Sequence, residues 1–256
     1  MRGCEYCRAL EKVAAALAAA PWDYTHSGMK SRPLLVLSVA ASLIFLLASP
    51  LVAGDWLVIF KVASIALLAV LGFRANALLG TALTLGAIGD FLLGVHRMGS
   101  LEADKLFLFG LGAFLAGHLV YIAMFRRFLP RNWARHSVLR ELAVMAVLGT
   151  LGLVLALLQH SLGPLLIPVV VYALVLAAMA ISALLAEMGN PLAAIGALCF
   201  VASDAMLAIA KFRGPFTGHE PLIWITYYLA QLLIFLGVRR RALVSHPVKR
   251  GVKLAL

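Results

Sequence analysis

Long apolar stretches occupy most of this 256-residue chain and restrict it to a membrane fold. Its residues are 63% hydrophobic and 13% charged, whereas soluble domains are about 45–50% apolar and about 25% charged. A membrane-spanning helix needs about 20 apolar residues, and eight stretches come near this length. These stretches are residues 34–53, 57–73, 76–95, 106–125, 140–158, 164–186, 192–212 and 222–238. Because a backbone in lipid must satisfy its own hydrogen bonds, stretches longer than barrel strands predict helices. We therefore predict an all-α, polytopic membrane helix bundle with about eight transmembrane helices.

Basic residues between these stretches predict the orientation of the bundle. Five arginines lie at or near the connection between the fourth and fifth stretches, and six basic residues follow the eighth. The connection around 159–163 contains no Lys or Arg. By the positive-inside rule, both termini are then cytoplasmic. Asp55 and Lys61 shorten the second stretch, so seven spans is the alternative count.

The same clusters account for the formal net charge of +11 without a nucleic acid partner. No basic face interleaved with aromatic residues is present to bind one. The sequence divides into an N-terminal extension (1–30) outside the bundle, a helix bundle with the active site (31–240) and a basic cytoplasmic tail (241–256). We expect an integral membrane protein, located in the inner membrane if the source is bacterial. The sequence does not predict an oligomeric state.

Two aspartates lie inside the apolar stretches, Asp90 in TALTLGAIGDFLLGV and Asp204 in IGALCFVASDAMLAIA. An ionisable group at the centre of a bilayer costs about 2.5–3.5 kcal/mol, and such groups usually serve function. A structural hydrogen bond between helices is the alternative for each residue. We expect the pair to be functional.

Six polar side chains on four predicted spans fall in the outer half of the membrane. They are Asp90, Asp204, His118, Tyr227, Tyr228 and Gln231. At 1.5 Å per residue they lie about 8–18 Å from the outer face. Tyr121 is three residues from His118 and shares its helix face, and Ser203 precedes Asp204. Five glycines are expected where helices approach closely; these are Gly89, Gly110, Gly112, Gly117 and Gly196.

Several chemistries are disfavoured by the residues. The histidines lack metal-ligand spacing, and there is neither a G-x-S-x-G elbow nor a Gly-Lys-Ser/Thr phosphate loop. Cys4 and Cys7 form a single C-x-x-C without a second pair. We predict no metal ion and no cofactor. The remaining chemistry is a carboxylate pair, one acting as proton donor and one as base, on a substrate activated by protonation alone.

Four sequence blocks in this order, GAIGDFLLG, FLFGLGAFLAGHLVY, IGALCFVASDAMLA and TYYLAQLLI, closely resemble the lysoplasmalogenase family of YhhN-like multi-pass membrane proteins. IPVVVYALVLAAM extends the resemblance, which covers roughly residues 55–240. The resemblance implies a hydrolase that cleaves the vinyl ether of 1-alkenyl lysoglycerophospholipids with ethanolamine or choline heads. The products would be a fatty aldehyde and a glycerophospho-base.

The family motifs place Asp90 and Asp204 as the catalytic carboxylates. They place six residues where they would bind or position the substrate: His118, Tyr121, Ser203, Tyr227, Tyr228 and Gln231. The chain departs from the family pattern at two positions. Gly86 stands where a serine is usual, and Val62 follows Lys61 where a proline is common.

The chemistry of a vinyl ether fits a carboxylate pair. Protonation of the alkenyl carbon forms an oxocarbenium-like cation, which a second carboxylate can stabilise while activating water, as in glycosidases. Two alternatives remain: a membrane hydrolase acting on another lipid, and a lipid or small-molecule transporter, because polar groups near mid-membrane also mark substrate pathways.

Overall fold

Eight long helices account for most of the residues that the computed structural model describes, which are residues 31–49, 55–96, 103–130 and 137–245. The helices are α1 (Ser31–Ala48), α2 (Val58–Ala75), α3 (Ala77–His96), α4 (Ala103–Phe125), α5 (Val138–Leu158), α6 (Leu166–Leu185), α7 (Leu192–Phe212) and α8 (His219–Ser245). The predicted extension (1–30), its C-x-x-C and most of the predicted tail lie outside the described residues.

The prediction of eight spans is confirmed. Each of the eight helices contains a segment long and apolar enough to cross a membrane, and the described residues contain no strand. The protein is therefore an integral multi-pass membrane protein. Helix α8 continues to Ser245, five residues beyond the boundary predicted for the bundle. An even number of spans places Ser31 and Ser245 on the same side of the bundle; their cytoplasmic location stays a prediction.

Helices α2 and α3 form a tight hairpin that fixes the position of Asp90. Only Asn76 separates them, and its side-chain Oδ1 accepts hydrogen bonds from the backbone N–H groups of Leu78 (2.9 Å) and Leu79 (3.3 Å). This caps α3, as Asn commonly does at a helix start. A Cβ on Gly80 would lie 2.3 Å from the ring of Phe73, so any other residue there would force this half-exposed ring to move.

Small residues also bring α7 and α8 into backbone contact. A Cβ on Gly196 would lie 2.8 Å from the carbonyl oxygen of Ala230, and one on Gly237 would lie 2.7 Å from the backbone nitrogen of Ala193. Membrane helices approach closely where such residues meet. The pair is thereby held in one register, in which the Ser203 hydroxyl of α7 donates to the Ile223 carbonyl of α8 at 3.1 Å.

The predicted packing glycines behave in three ways. Gly89, Gly110 and Gly196 lie against neighbouring atoms with no room for a side chain, whereas Gly117 has ordinary contacts. Gly112 was expected to be a packing position, and this is wrong. No atom from elsewhere lies within 4 Å of its Cβ position, because this side of α4 is exposed rather than packed.

Helix α8 occupies the centre of the arrangement, where it contacts α1, α2, α3 and α7. Helix α5 lies at the periphery and packs on α6 and α7. Its other face exposes apolar side chains, among them Leu139, Leu142 and Met145, as expected for a surface in contact with lipid tails. The helices that carry the predicted site therefore surround one interior region near α8.

Candidate active site

A cavity of about 450 Å³ opens between the helices, and both aspartates line it. Its walls are mostly Leu, Val, Ala and Phe side chains, and Lys211 and Glu220 lie at one end. The lining residues of α1, α3, α5 and α7 come mainly from the C-terminal halves of these helices, whereas those of α4 and α8 come from the N-terminal halves. The cavity is therefore in the half of the bundle opposite the described chain ends. The location of the polar groups in the outer half of the membrane stays a prediction.

Asp90 on α3 is held by a lysine and a tyrosine from two other helices. Lys61 Nζ on α2 lies 3.0 Å from Asp90 Oδ1, and the Tyr227 hydroxyl on α8 donates to Oδ2 at 2.8 Å. The Asp90 side chain is 2% exposed, and that of Lys61 is 22% exposed. Both carboxylate oxygens thus have a donor, and a cation balances the charge in a region shielded from water.

A chain of hydrogen bonds orients Tyr227. The Tyr121 hydroxyl on α4 donates to Gln231 Oε1 at 2.6 Å, and Gln231 Nε2 donates to the Tyr227 oxygen at 3.3 Å. Gln231 and Tyr227 are four residues apart and so are neighbours on one face of α8. Gly86 lies against this chain, since a Cβ there would be 2.9 Å from Gln231 Nε2.

Asp204 on α7 belongs to a second network, formed with α6 and α4. The Tyr172 hydroxyl donates to Asp204 Oδ2, and His118 Nε2 lies 3.1 Å from the same hydroxyl oxygen. His118 Nε2 is 3.8 Å from Asp204 Oδ2, beyond hydrogen-bond distance. His118 is buried, and its Nδ1 has no hydrogen-bond partner among the described residues.

Aromatic rings separate the two networks. The Phe200 ring lies between them, with its centroid 4.7 Å from that of His118 and 5.5 Å from that of Tyr227. Both contacts are edge-to-face, the geometry that aromatic pairs prefer. The rings therefore keep the two carboxylates on separate parts of the cavity wall, each with its own donors.

The structure does not bring every predicted site residue to the cavity. Tyr228 lies on the far side of Tyr227, where its hydroxyl and that of Ser38 on α1 are hydrogen-bonded at 2.8 Å. Ser203 lines the cavity, and its hydroxyl donates to the Ile223 carbonyl of α8 at 3.1 Å. His118, Tyr121 and Gln231 lie behind the cavity wall and act on it through other side chains.

One residue of the site was missed in the sequence. Lys61 was interpreted as a defect in the second span, although a charge inside an apolar stretch is the same signal that identified Asp90. Tyr172 on the sixth span is compatible in sequence with either a site residue or a helix contact, because a single tyrosine in a span is common at helix contacts. Among the described residues, no three His, Cys, Asp or Glu side chains are grouped to hold a metal ion.

A family model named YhhN matches residues 56–238, which include α2 to α7 and most of α8. The chain belongs to the YhhN family. The residues that contact Asp90 and Asp204 all lie within the matched range. No solved structure is a significant match to the chain.

Relatives of the chain in two mycobacteria and in humans carry a common name. The chain is 40% identical over 171 residues to the lysoplasmalogenases of Mycobacterium bovis and Mycobacterium tuberculosis, covering 64% of this chain and 61% of each relative. It is 36% identical over 163 residues to the human lysoplasmalogenase TMEM86B, covering 64% of both proteins. The chain thus spans about three fifths of the length of these relatives.

Proposed function

We propose that this YhhN protein is a lysoplasmalogenase, which hydrolyses the vinyl ether bond of 1-alkenyl lysoglycerophospholipids with ethanolamine or choline heads. The observation that carries this proposal is that Asp90 and Asp204 line one largely apolar cavity within the membrane region. The names of relatives at 36–40% identity support the same activity. The products are a fatty aldehyde and a glycerophospho-base.

The cavity suits an amphiphilic substrate. At about 450 Å³ it is within the range of about 300–1,000 Å³ typical of small-molecule sites. Its apolar walls fit an alkenyl chain, whereas Lys211 and Glu220 offer opposite charges at one end. A headgroup with a phosphate and an ammonium presents the complementary pair of charges.

The spacing along the helices supports this orientation. Lys211 is seven residues after Asp204 on α7, and Glu220 is seven residues before Tyr227 on α8. Seven residues are about two turns, so each charged residue lies on the same helix face about 10 Å along the axis. In an extended lysolipid the headgroup charges are about 7–12 Å from the vinyl ether, at the roughly 1.2 Å per bond of an extended chain.

Other side chains have supporting roles in this proposal. Tyr227 and Tyr172 donate to the two carboxylates, and Gln231, Tyr121 and His118 hold those tyrosines in place. Tyr228 is not included, since it neither lines the cavity nor contacts an aspartate. The hydrolase interpretation is also favoured over transport because the spans are continuous helices, whereas transporter sites are typically built from broken ones.

The test is aldehyde release by the purified protein from 1-alkenyl lysophosphatidylethanolamine. The 1-acyl analogue and the Asp90→Asn, Asp204→Asn double variant are the controls. We expect aldehyde from the wild type only, with no cleavage of the acyl analogue. Cleavage of the acyl analogue would instead identify a hydrolase of another lipid, and no cleavage of either lipid by folded protein would refute a hydrolase acting on these lipids.

A further inference from the structure

The two aspartates differ in the charge that surrounds them. Asp90 has the ammonium group of Lys61 at 3.0 Å and a second donor, Tyr227, on its other oxygen. Asp204 receives one hydrogen bond, from the neutral Tyr172 hydroxyl, on Oδ2. Its Oδ1 has no hydrogen-bond partner among the described residues, and its side chain is 11% exposed and lines the cavity.

His118 is the basic group nearest to Asp204, with its Nε2 3.8 Å from Oδ2. The same Nε2 lies 3.1 Å from the Tyr172 hydroxyl oxygen, whereas Nδ1 is buried with no partner in the described chain. A cationic imidazole would carry a proton on both nitrogens, and a buried N–H of a cation without an acceptor is strongly unfavourable. His118 is therefore a poorer counter-ion for Asp204 than Lys61 is for Asp90.

We propose that Lys61 keeps Asp90 as the ionised carboxylate, and that Asp204 is the neutral carboxylic acid that protonates the substrate. This assignment rests on the proposed vinyl ether hydrolysis. The physical reason is charge balance. The Lys61–Asp90 pair is already neutral, and a second ionised carboxylate in the same apolar region would have, among the described residues, only His118 as a counter-ion, at 3.8 Å and with no acceptor for a second N–H. Lys61 is a positioning residue in this assignment.

The proton balance of the reaction closes with these two groups. Asp204 transfers its Oδ1 proton to the alkenyl carbon distal to the ether oxygen, and the carbon bonded to oxygen becomes the oxocarbenium. The cation forms beside the newly ionised Asp204, so the site as a whole stays neutral. Water then adds to that carbon and gives its proton to Asp90, producing a hemiacetal.

The hemiacetal breaks down by reversing the roles. Asp90 returns its proton to the glycerol oxygen as the carbon–oxygen bond breaks, and the hemiacetal hydroxyl gives its proton to Asp204. The products are the aldehyde and the free glycerol hydroxyl, and both carboxyl groups regain their starting protonation states. No oxidant, metal or additional reactant is required.

Infrared spectroscopy tests the assignment without using catalysis. A protonated carboxylic acid has a carbonyl stretch that is separate from the carboxylate bands. Labelling aspartate with ¹³C at the side-chain carboxyl shifts only the bands of the chain's five aspartates. In substrate-free protein at neutral pH we expect one label-sensitive protonated band. Asp204→Asn is expected to remove it. The double variant Lys61→Met, Asp90→Asn removes the whole ion pair and leaves the charge balance unchanged, so it is expected to retain the band.

Variants of Lys61 test the second half of the proposal. Lys61→Met removes the cation and keeps much of the side-chain volume, so Asp90 should also take up a proton and the band should double in intensity. Lys61→Arg keeps the charge and should leave one band, a rescue that a packing role alone would not give. If Lys61→Met does not fold, Lys61→Gln is measured in its place with the same expected doubling.

The outcomes separate this inference from the proposed function. A band that disappears in the double variant Lys61→Met, Asp90→Asn and persists in Asp204→Asn would overturn the assignment, and so would the absence of any protonated aspartate in the wild type. Either result is compatible with aldehyde release. Conversely, a protein that shows the expected bands but releases no aldehyde would support the proposed protonation states and refute only the proposed reaction.

Discussion

Replacing Lys61 by Met should destabilise the protein more than replacing both members of the Lys61–Asp90 pair. Charges whose atoms lie 3.0 Å apart attract by about 5–6 kcal/mol at an effective dielectric constant of about 20. Lys61 is 22% exposed, so water in the cavity screens part of this attraction. Removing one partner of a buried pair costs about 3–5 kcal/mol. We expect the lower end, about 3 kcal/mol, because Asp90 takes up a proton in Lys61→Met and does not remain as an uncompensated charge.

The double variant Lys61→Met, Asp90→Asn should recover about half of that loss. The amide of Asn is neutral and can still accept the Tyr227 hydrogen bond, so no group has to be neutralised in the bundle. Asp90→Asn alone should cost about 1–2 kcal/mol, because the partly exposed Lys61 can be hydrated through the cavity. The double variant should match that value, giving a coupling energy of about 3 kcal/mol.

The assay is reversible unfolding of the purified protein in mixed micelles with increasing denaturing detergent, followed by far-UV circular dichroism. Lys211→Met is the matched control, since it removes a lysine from the exposed end of the same cavity and should cost less than about 1 kcal/mol. Additive effects of the two substitutions, with a coupling energy below about 0.5 kcal/mol, would refute a charge-balanced pair.

Four further predictions test individual contacts. Tyr227→Phe removes the donor to Asp90 and should lower kcat/KM for aldehyde release about tenfold or more. Tyr228→Phe loses only the bond to Ser38 and should change kcat/KM less than about threefold. Equal losses in the two variants would contradict the separation of these tyrosines. Gly86→Ala forces Gln231 away from Tyr227 and should lower kcat. Gly112→Ala places its methyl group near no neighbouring atom and should leave kcat unchanged. A lower kcat in both variants would indicate a general effect of alanine on the helix. Gly196→Ala should lower the free energy of unfolding by about 1–3 kcal/mol through overpacking against α8. The same detergent titration measures this. An unchanged free energy of unfolding would show that α7 and α8 can move apart without loss of stability. Lys211→Gln and Glu220→Gln should raise KM for the ethanolamine lysolipid several-fold with kcat nearly unchanged, and an unchanged KM in both would place the headgroup elsewhere.

The number and approximate limits of the helices could be predicted from the sequence because they follow from one local requirement. A helix that crosses lipid needs a fixed length of apolar residues, and this is visible at α3, predicted at 76–95 and observed at Ala77–His96. The membrane imposes the same condition on every span independently of its neighbours. Even the doubtful second stretch forms a full helix, Val58–Ala75.

The polar residues inside those spans were also visible, since each is costly in lipid and therefore stands out. The two aspartates line one cavity, and Tyr227 and Gln231 stand with Asp90 in its hydrogen-bond network. What the sequence could not supply is the direction in which each side chain points. Successive residues of a helix are about 100° apart, so Tyr227 and Tyr228 face different neighbours, and only packing decides which of them meets Asp90.

Partnership across helices was decided by tertiary structure alone. Lys61 and Asp90 are 29 residues apart on α2 and α3, and Tyr172 and Asp204 are 32 apart on α6 and α7. No feature of the sequence around Lys61 indicates whether it pairs with an acidic residue or only interrupts an apolar span. The sequence by itself determined that this chain spans a membrane eight times with two carboxyl groups inside it. The surroundings of each carboxyl group were decided by the packing of α2, α3, α6, α7 and α8. This packing places the Lys61 cation beside Asp90 and, among the described residues, no lysine or arginine within ion-pair distance of Asp204. Charge balance in a region shielded from water depends on which side chains come within a few ångströms.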